Sequence, residues 1–333
     1  MRTPPYSFTQ LMQFVWPGLP IAQALYVAAE LAIADQLAAG AKTGDELAAA
    51  TGSDLASLTR LLRVLATLGI FEADSAGAFR NSATGELLRS DHPSSVRESL
   101  LVSLSPLFWR PLGELHETVR SGRPAFDRIF GDSFFDSLPA RAADSERFAA
   151  VMNAATRDEI PLVLGTWDFS PYGTIVDVGG GRGALLAAIL SAYGGIRGVL
   201  FDLPPVTART DALRSPRLAG RCRIVSGNFF DSVPEGADAY LLRSVIHDWD
   251  DERAAVILGN VRRAMRPGAT LLVLERMLEC GSAAELIDLH MMVLTGGRER
   301  STAEYTTLLN DAAFRVNRVA RTVGPAIIEA IAV

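Results

Sequence analysis

Cysteine is nearly absent from this sequence: two residues, Cys222 and Cys280, among 333. They form no CxxC motif and no framework of paired spacings. A disulfide scaffold and a metal site are therefore not expected, and a reducing cytoplasm is the expected compartment. Positive charge is also short, with 32 Lys and Arg against 38 Asp and Glu and a formal net charge of −6. Phosphate backbones need a basic surface, so affinity for nucleic acid is not expected. No apolar run reaches the roughly 18 residues of a membrane-crossing helix. The N-terminus lacks a charged start followed by an apolar core, and there is no internal repeat or low-complexity tract. What is present is an ordinary soluble balance, 49% hydrophobic and 21% charged, in a length that suits two domains or one large one.

One stretch organises the rest. Thr174 to Val178 is a short β-branched, apolar run that reads as a buried strand. Gly179, Gly180, Gly181 and Gly183 follow, and Ala184 to Leu190 returns to helix-forming residues. A strand, a glycine loop and a helix start let a ligand lie against bare backbone and face free N–H groups. Such a loop alone is weak information, since many nucleotide folds use one. Val199 to Asp202 is a second apolar run ending in an acid, 19 positions after Gly183. That spacing suits an acid reaching ribose hydroxyls, and the alternative is a turn cap ahead of Pro204-Pro205.

Before this stretch the chain reads as helical. Residues 1–13 suggest a loose arm, and the apolar spacing predicts helix from Phe14 to Gln36. Thr43 is placed to cap a short helix, with Asp45 and Glu46 in its first turn. A third helix starts at Asp54 or Ser57. Ile70–Ala73 and Ala78–Asn81 flank a glycine turn and predict a hairpin. Helix, short helix, helix and hairpin make a winged-helix pattern. Its third helix carries Arg60 and Arg63 among leucines, which is a solvated face rather than a recognition face, so a dimerisation unit is the better reading. Residues 96–165 read as mostly helical. Their Phe, Trp and Met content lines either an apolar pocket or an inter-domain core.

From residue 170 strands and helices alternate, as in a parallel doubly wound sheet. Strands are predicted at 174–178, 197–201, 222–225, 238–242, 270–275, 314–321 and 325–332, with helices at 183–193, 205–213, 251–265 and 302–313. The last two strands are too close for a crossover and must form an antiparallel hairpin at the sheet edge. Asn228 and Phe229-Phe230 follow the third strand, where a nucleobase lies in such a fold. A ring stacked on a base and a turn with a buried aromatic are equally consistent with them. His247 lies just past the fourth strand's carboxyl end, beside the expected crevice. Histidine exchanges protons near neutral pH, and a phenol attacking a methyl group needs a base nearby. Glu275 ends the next strand and Glu299 lies in the loop 296–300. Either supports an imidazole or pairs with Arg276, Arg298 or Arg300.

Together these residues resemble the S-adenosylmethionine-dependent O-methyltransferases that include plant caffeic acid and flavonoid enzymes and bacterial natural-product enzymes. The matching segments are Val176 to Gly183, Phe201 to Pro204, Leu242 to Trp249, Leu274-Glu275 and Gly297 to Arg300. The resemblance covers nearly the whole chain. It implies an α/β fold, a Rossmann-like sheet with a terminal antiparallel hairpin, preceded by a mainly α-helical winged-helix dimerisation domain. The implied domains are 1–95 for dimerisation, 96–165 for the helical linker and substrate pocket, and 166–333 for the methyltransferase.

The resemblance also implies roles. Gly179 would touch the methionine end of S-adenosylmethionine and Asp202 its ribose, Asn228 and Phe229 would flank the adenine, and Gly181 and Leu203 would also belong to the cofactor site. Arg243 would contribute through its backbone. His247 would be the general base, held by Glu275 and Glu299. Phe148, Met152, Asp248, Met291 and Met292 would face the acceptor, an aromatic hydroxyl of a small molecule. The partner implied is a second copy of the chain, with S-adenosylhomocysteine as the product and no membrane or nucleic acid involved. The family usually has Asp where Asn228 stands, often Lys in place of Arg243, and commonly Thr in place of Ser301. Rival readings are a same-fold hydroxylase or pericyclic catalyst, a nicotinamide oxidoreductase and a DNA-binding regulator.

Overall fold

The structure, a computed structural model, describes residues 8–280 and 282–333. The chain forms two compact units, Met1–Trp109 and Arg110–Val333, and the division falls inside the segment 96–165 set apart above.

The first unit is helical with a small sheet. Gly18–Glu30 and Ile33–Gln36 are separate helices, where the apolar spacing suggests one run. Ala32 separates them in a left-handed conformation at φ 52°. Thr43 and Glu46 form a reciprocal capping box at the start of the helix Gly44–Thr51. Asp54 caps the helix Leu55–Thr67 by accepting from the Ser57 amide. Strands β1 (Lys42–Thr43), β2 (Phe71–Ala73) and β3 (Ala78–Asn81) pair in the order β1-β3-β2, all antiparallel. Leu47, Leu58, Leu62, Leu65, Phe71 and Phe79 fill the core between helices and sheet. The loose arm expected over 1–13 lies partly outside the described residues. Within them Phe8–Val15 is a helix, so that part of the expectation is corrected.

The second unit holds a seven-stranded sheet in the order β6-β5-β4-β7-β8-β10-β9. Its strands are β4 (Thr174–Val178), β5 (Arg197–Asp202), β6 (Cys222–Ser226), β7 (Ala239–Arg243), β8 (Thr270–Glu275), β9 (Phe314–Ala320) and β10 (Ala326–Ala332). Every residue of β8 and the first four of β7 are buried, which is why these runs are apolar without alternation. β4 to β8 are parallel, whereas β10 runs antiparallel between β8 and β9. The hairpin therefore ends the sheet as expected, with the later strand inside and the earlier one at the edge.

Helices cover both faces. Asp250 caps the helix Asp251–Ala264, which has acids in its first turn and arginines in its last, the arrangement its dipole favours. Ser301 and Glu304 form a second capping box on the helix Thr302–Asp311. The helix expected at 205–213 is corrected to Pro204–Thr207. Beyond it, Arg214 donates to the Thr207 carbonyl and the Thr210 hydroxyl, and Pro216 disfavours helix at the residue before it, so the segment runs in turns. The 25-residue helix Ala142–Thr166 precedes β4.

Candidate active site

The carboxyl ends of β4, β5, β7 and β8 form one rim, and the glycine loop closes part of it. Gly179, Gly181 and Gly183 have positive φ, which L side chains rarely adopt. A Cβ on Gly179 would stand 2.8 Å from Val245 Cγ2, so this loop packs directly on the turn that carries His247. A Cβ on Gly181 would meet nothing within 4 Å, so here the backbone faces open space. The Gly181 amide donates to Asp202 Oδ2 at 2.8 Å, and the Leu203 amide donates to Oδ1 at 2.7 Å. Burial pushes the Asp202 carboxyl up, and these two bonds oppose the shift. The bare loop, the acid at the end of β5 and the half-exposed Leu203 fit a nucleoside with an extended polar tail.

Phe229 stands close to Gly179 and makes an edge contact with Phe230 at 5.0 Å. Its carbonyl accepts from Asn260 Nδ2 at 2.7 Å. Asn228 turns its side-chain oxygen to the Phe230 amide, which fixes the turn. The guanidinium of Arg243 turns to Thr156 and Glu159 on the long helix.

His247 sits on a 3-10 turn, Ile246–Asp248, just past β7. Its Nδ1 is 2.7 Å from Glu299 Oε1, and the Glu299 side chain is fully buried. Among the hydrogen bonds and ion pairs of the described residues, Nε2 meets only Asp248 Oδ1, at 3.7 Å, beyond hydrogen-bond range. Glu275 makes no hydrogen bond to the ring among those of the described residues. Its Oε1 accepts from the main-chain amides of Val245, Ile246 and His247 at 3.0, 2.9 and 3.4 Å. The two acids thus divide the work: Glu299 orients the imidazole, and Glu275 holds the turn beneath it.

The electrostatics follow from this crowding. Burial pulls the His247 pKa down, but Glu275, Asp248 and Glu299 outweigh it and push it up to about 10. Burial pushes Glu275 up to about 7 and Asp248 up to about 6, with the His247 charge opposing both.

Residues that sequence reasoning passed over complete the turn. Arg300 is fully buried; its guanidinium donates to the carbonyls of Ile246 at 3.1 Å and Trp249 at 2.9 Å, and to Asp251 Oδ1 at 2.7 Å. The sequence offers it only as a partner for a glutamate. The Arg298 amide donates to the His247 carbonyl at 2.8 Å. A Cβ on Gly297 would lie 2.1 Å from that carbonyl oxygen, so only glycine lets the two segments meet.

Met291 and Met292 are half-buried on the helix Ser282–Leu294. They lie three and four positions after Asp288, whose carboxylate accepts from the Glu299 amide at 2.7 Å, so all three share the helix side nearest that acid. Phe148 makes an edge contact with Phe134 at 5.3 Å, and Met152 is 42% exposed. A groove of about 710 Å³ lies beside the 142–166 helix, lined by Glu146, Arg157, Arg182 and Arg209 among others, and His247 is not part of it.

A family model described as the O-methyltransferase domain matches residues 112–315, more than half of the chain. The chain belongs to the O-methyltransferase family. The family's dimerisation domain matches residues 17–91. The enzyme is 38% identical to a mitomycin biosynthesis 6-O-methyltransferase of Streptomyces lavendulae over 318 residues, 94% of this chain and 89% of that one. It is also 38% identical to an 8-amino-8-demethylriboflavin N,N-dimethyltransferase of Streptomyces davaonensis, over 90% of this chain and 88% of that one. Among solved structures, it superposes on an O-methyltransferase of neocarzinostatin biosynthesis with a TM-score of 0.88 and 34% identity, covering 94% of this chain and 96% of that one. That structure holds S-adenosylmethionine and 2-hydroxy-5-methyl naphthoic acid. No helix among the described residues is long and apolar enough to cross a membrane.

Proposed function

We propose that the enzyme transfers a methyl group from S-adenosylmethionine to a hydroxyl of an aromatic natural product, with His247 as the general base. The observation that carries this reading is the imidazole pinned through Nδ1 to buried Glu299, which leaves Nε2 for an acceptor on the rim beside the glycine loop. Gly179, Gly181, Asp202 and Leu203 would take the methionine and ribose parts of the donor, and Asn228, Phe229 and the Arg243 backbone its adenine. When bound, the donor supplies a methyl group already activated on a positively charged sulfur. His247 accepts the hydroxyl proton as the acceptor oxygen bonds to that carbon and the carbon–sulfur bond breaks, leaving S-adenosylhomocysteine.

Glu275, Asp248 and Glu299 raise the proton affinity of the imidazole toward that of a phenol, whose pKa is about 10, so the ring in its neutral form is a strong enough base to take the hydroxyl proton. The remaining requirement is alignment of donor and acceptor with water excluded. Phe148, Met152, Asp248, Met291 and Met292 are proposed to face the acceptor. The apolar Val15, Trp16 and Leu19, all exposed on the first unit, fit pairing with a second copy of the chain.

Incubation with S-adenosylmethionine and a panel of hydroxylated and aminated aromatics, read by mass spectrometry, tests the reaction. A gain of one CH₂ on a hydroxyl supports it, whereas gain of one oxygen, isomerisation or methylation only at nitrogen refutes it. His247→Ala is expected to keep S-adenosylhomocysteine binding and lose roughly 10²–10⁴ in turnover.

A further inference from the structure

Glu159 is a buried acid of the long helix that no part of the mechanism above uses. Its Oε1 accepts from Arg276 Nη2 at 2.6 Å, and its Oε2 accepts from Arg243 Nη2. Arg243 also donates from Nη1 to Thr156 Oγ1 at 2.9 Å. Arg243 is the last residue of β7, and Arg276 follows the last residue of β8. These strands are neighbours, with Arg243 paired to Leu274. One carboxylate therefore bridges the ends of the two strands that carry the His247 turn and Glu275.

The helix side of this bridge is equally specific. Phe148, Met152, Thr156 and Glu159 recur at intervals of four, four and three, which puts them on one helix face. The upper half of that face is apolar, and the lower half is tied to the sheet. Pro161 follows two residues later inside the helix. It has no N–H, so the bond to the Arg157 carbonyl is lost and the helix is weakest beside the tie.

We propose that Glu159 is a positioning residue: through Arg243 and Arg276 it fixes the acceptor-facing half of the 142–166 helix against the rim that carries His247. The proposal rests on the methyl-transfer reading for its consequence, but the tie itself does not. Removing the charge leaves two guanidinium groups facing each other. Arg243, 14% exposed, is then a largely buried charge without its partner and must turn toward water, giving up its bond to Thr156, while Arg276, 39% exposed, is already partly hydrated and is simply released. The half of the helix bearing Phe148 and Met152 then keeps the ion pairs of Glu146 with Arg182 and Arg209 but loses its tie to the ends of β7 and β8.

Hydrogen exchange on the protein loaded with S-adenosylhomocysteine tests the tie without turnover. In Glu159→Gln the amides of 144–158 are expected to exchange about tenfold faster, while those of 184–192 and 254–264 stay within about threefold. Arg276→Gln, which removes one of the two partners, is the milder variant and is expected to loosen the same segment by about threefold. In turnover, Glu159→Gln is expected to raise the acceptor KM about tenfold with kcat within about threefold, and to leave the pH profile of kcat unshifted. Wild-type exchange of 144–158 in both variants overturns the proposal, as does an equal loss in kcat with a shifted pH profile. If the wild type methylates no hydroxyl while the exchange pattern appears, the methyl-transfer reading fails and the tie stands. If the wild type turns over and Glu159→Gln matches it in both readouts, the tie fails and the reaction stands.

Discussion

Glu299 and His247 are joined through a single ring nitrogen, Oε1 to Nδ1 at 2.7 Å, inside a shell where the acid has no access to water. The arrangement fixes the tautomer: when the ring is neutral, the proton sits on Nδ1 and Nε2 carries the lone pair.

Glu299→Gln keeps the shape of this contact and removes one of the charges that raise the imidazole pKa. Burial then acts with less opposition and the group titrates lower. The acid limb of the kcat/KM profile is expected to move to lower pH, and the plateau to fall by about tenfold because a weaker base meets the same phenol. A plateau at the wild-type level, or a limb that moves up, would count against the assignment. The same charge couples to folding. The folded pKa of about 10 lies above the ordinary 6.5, so the stabilisation is complete below 6.5 and is lost as pH rises through 10. Between those values the Tm of the wild type should fall more steeply than that of Glu299→Gln.

An imidazolium held at so high a pKa is destabilised by a second positive charge in the adjoining crevice. Binding of S-adenosylmethionine is therefore expected to release protons most at a pH just below that pKa, about 9, and binding of the uncharged-sulfur product far fewer. Calorimetry in two buffers of different ionisation enthalpy reads the difference. Equal proton release for the two ligands would show that His247 does not sense the sulfonium.

Arg300→Lys shortens a planar fork to a single ammonium. Lysine cannot hold both carbonyls and Asp251 in one fork; the Ile246 carbonyl keeps its bond from the Trp249 amide, so the Trp249 carbonyl is the one at risk of being left buried without a donor. A loss of about 1–3 kcal/mol in urea unfolding is expected, with turnover reduced more than S-adenosylhomocysteine affinity. Full turnover at unchanged stability would show that the turn holds itself.

Trp16 is 73% exposed on the first unit and lies beside exposed Val15 and Leu19. If the dimerisation domain pairs two copies through this patch, Trp16→Glu should shift the sedimentation profile toward monomer at micromolar concentration. An unchanged dimer would place the contact elsewhere.

Much of this was legible in the residues themselves. The inner strands β4, β5, β7 and β8 announce themselves as apolar runs because the parallel part of the sheet buries both faces, and the caps at Thr43 and Asp54 are written in side chains that bond their own helix. His247 and its two acids stand at strand ends, where position alone raises them. The distribution of labour between those acids was not legible, because whether a glutamate meets a ring or a main-chain amide depends on the path of a turn with a left-handed Ser244 at its start. Arg300 and Glu159 were hidden for a related reason. A charged residue in a helix or loop reads as solvated until the fold puts partners 49 to 117 positions away beside it. The split of the first helical run at Ala32 follows from one backbone angle that side-chain periodicity does not record.

The edge strand β9 bonds to the sheet only through β10, because β10 occupies the place beside β8. Seating Ala326 opposite Glu275 therefore joins the whole hairpin to the sheet and completes its edge beside the strand whose end holds the 245–247 amides.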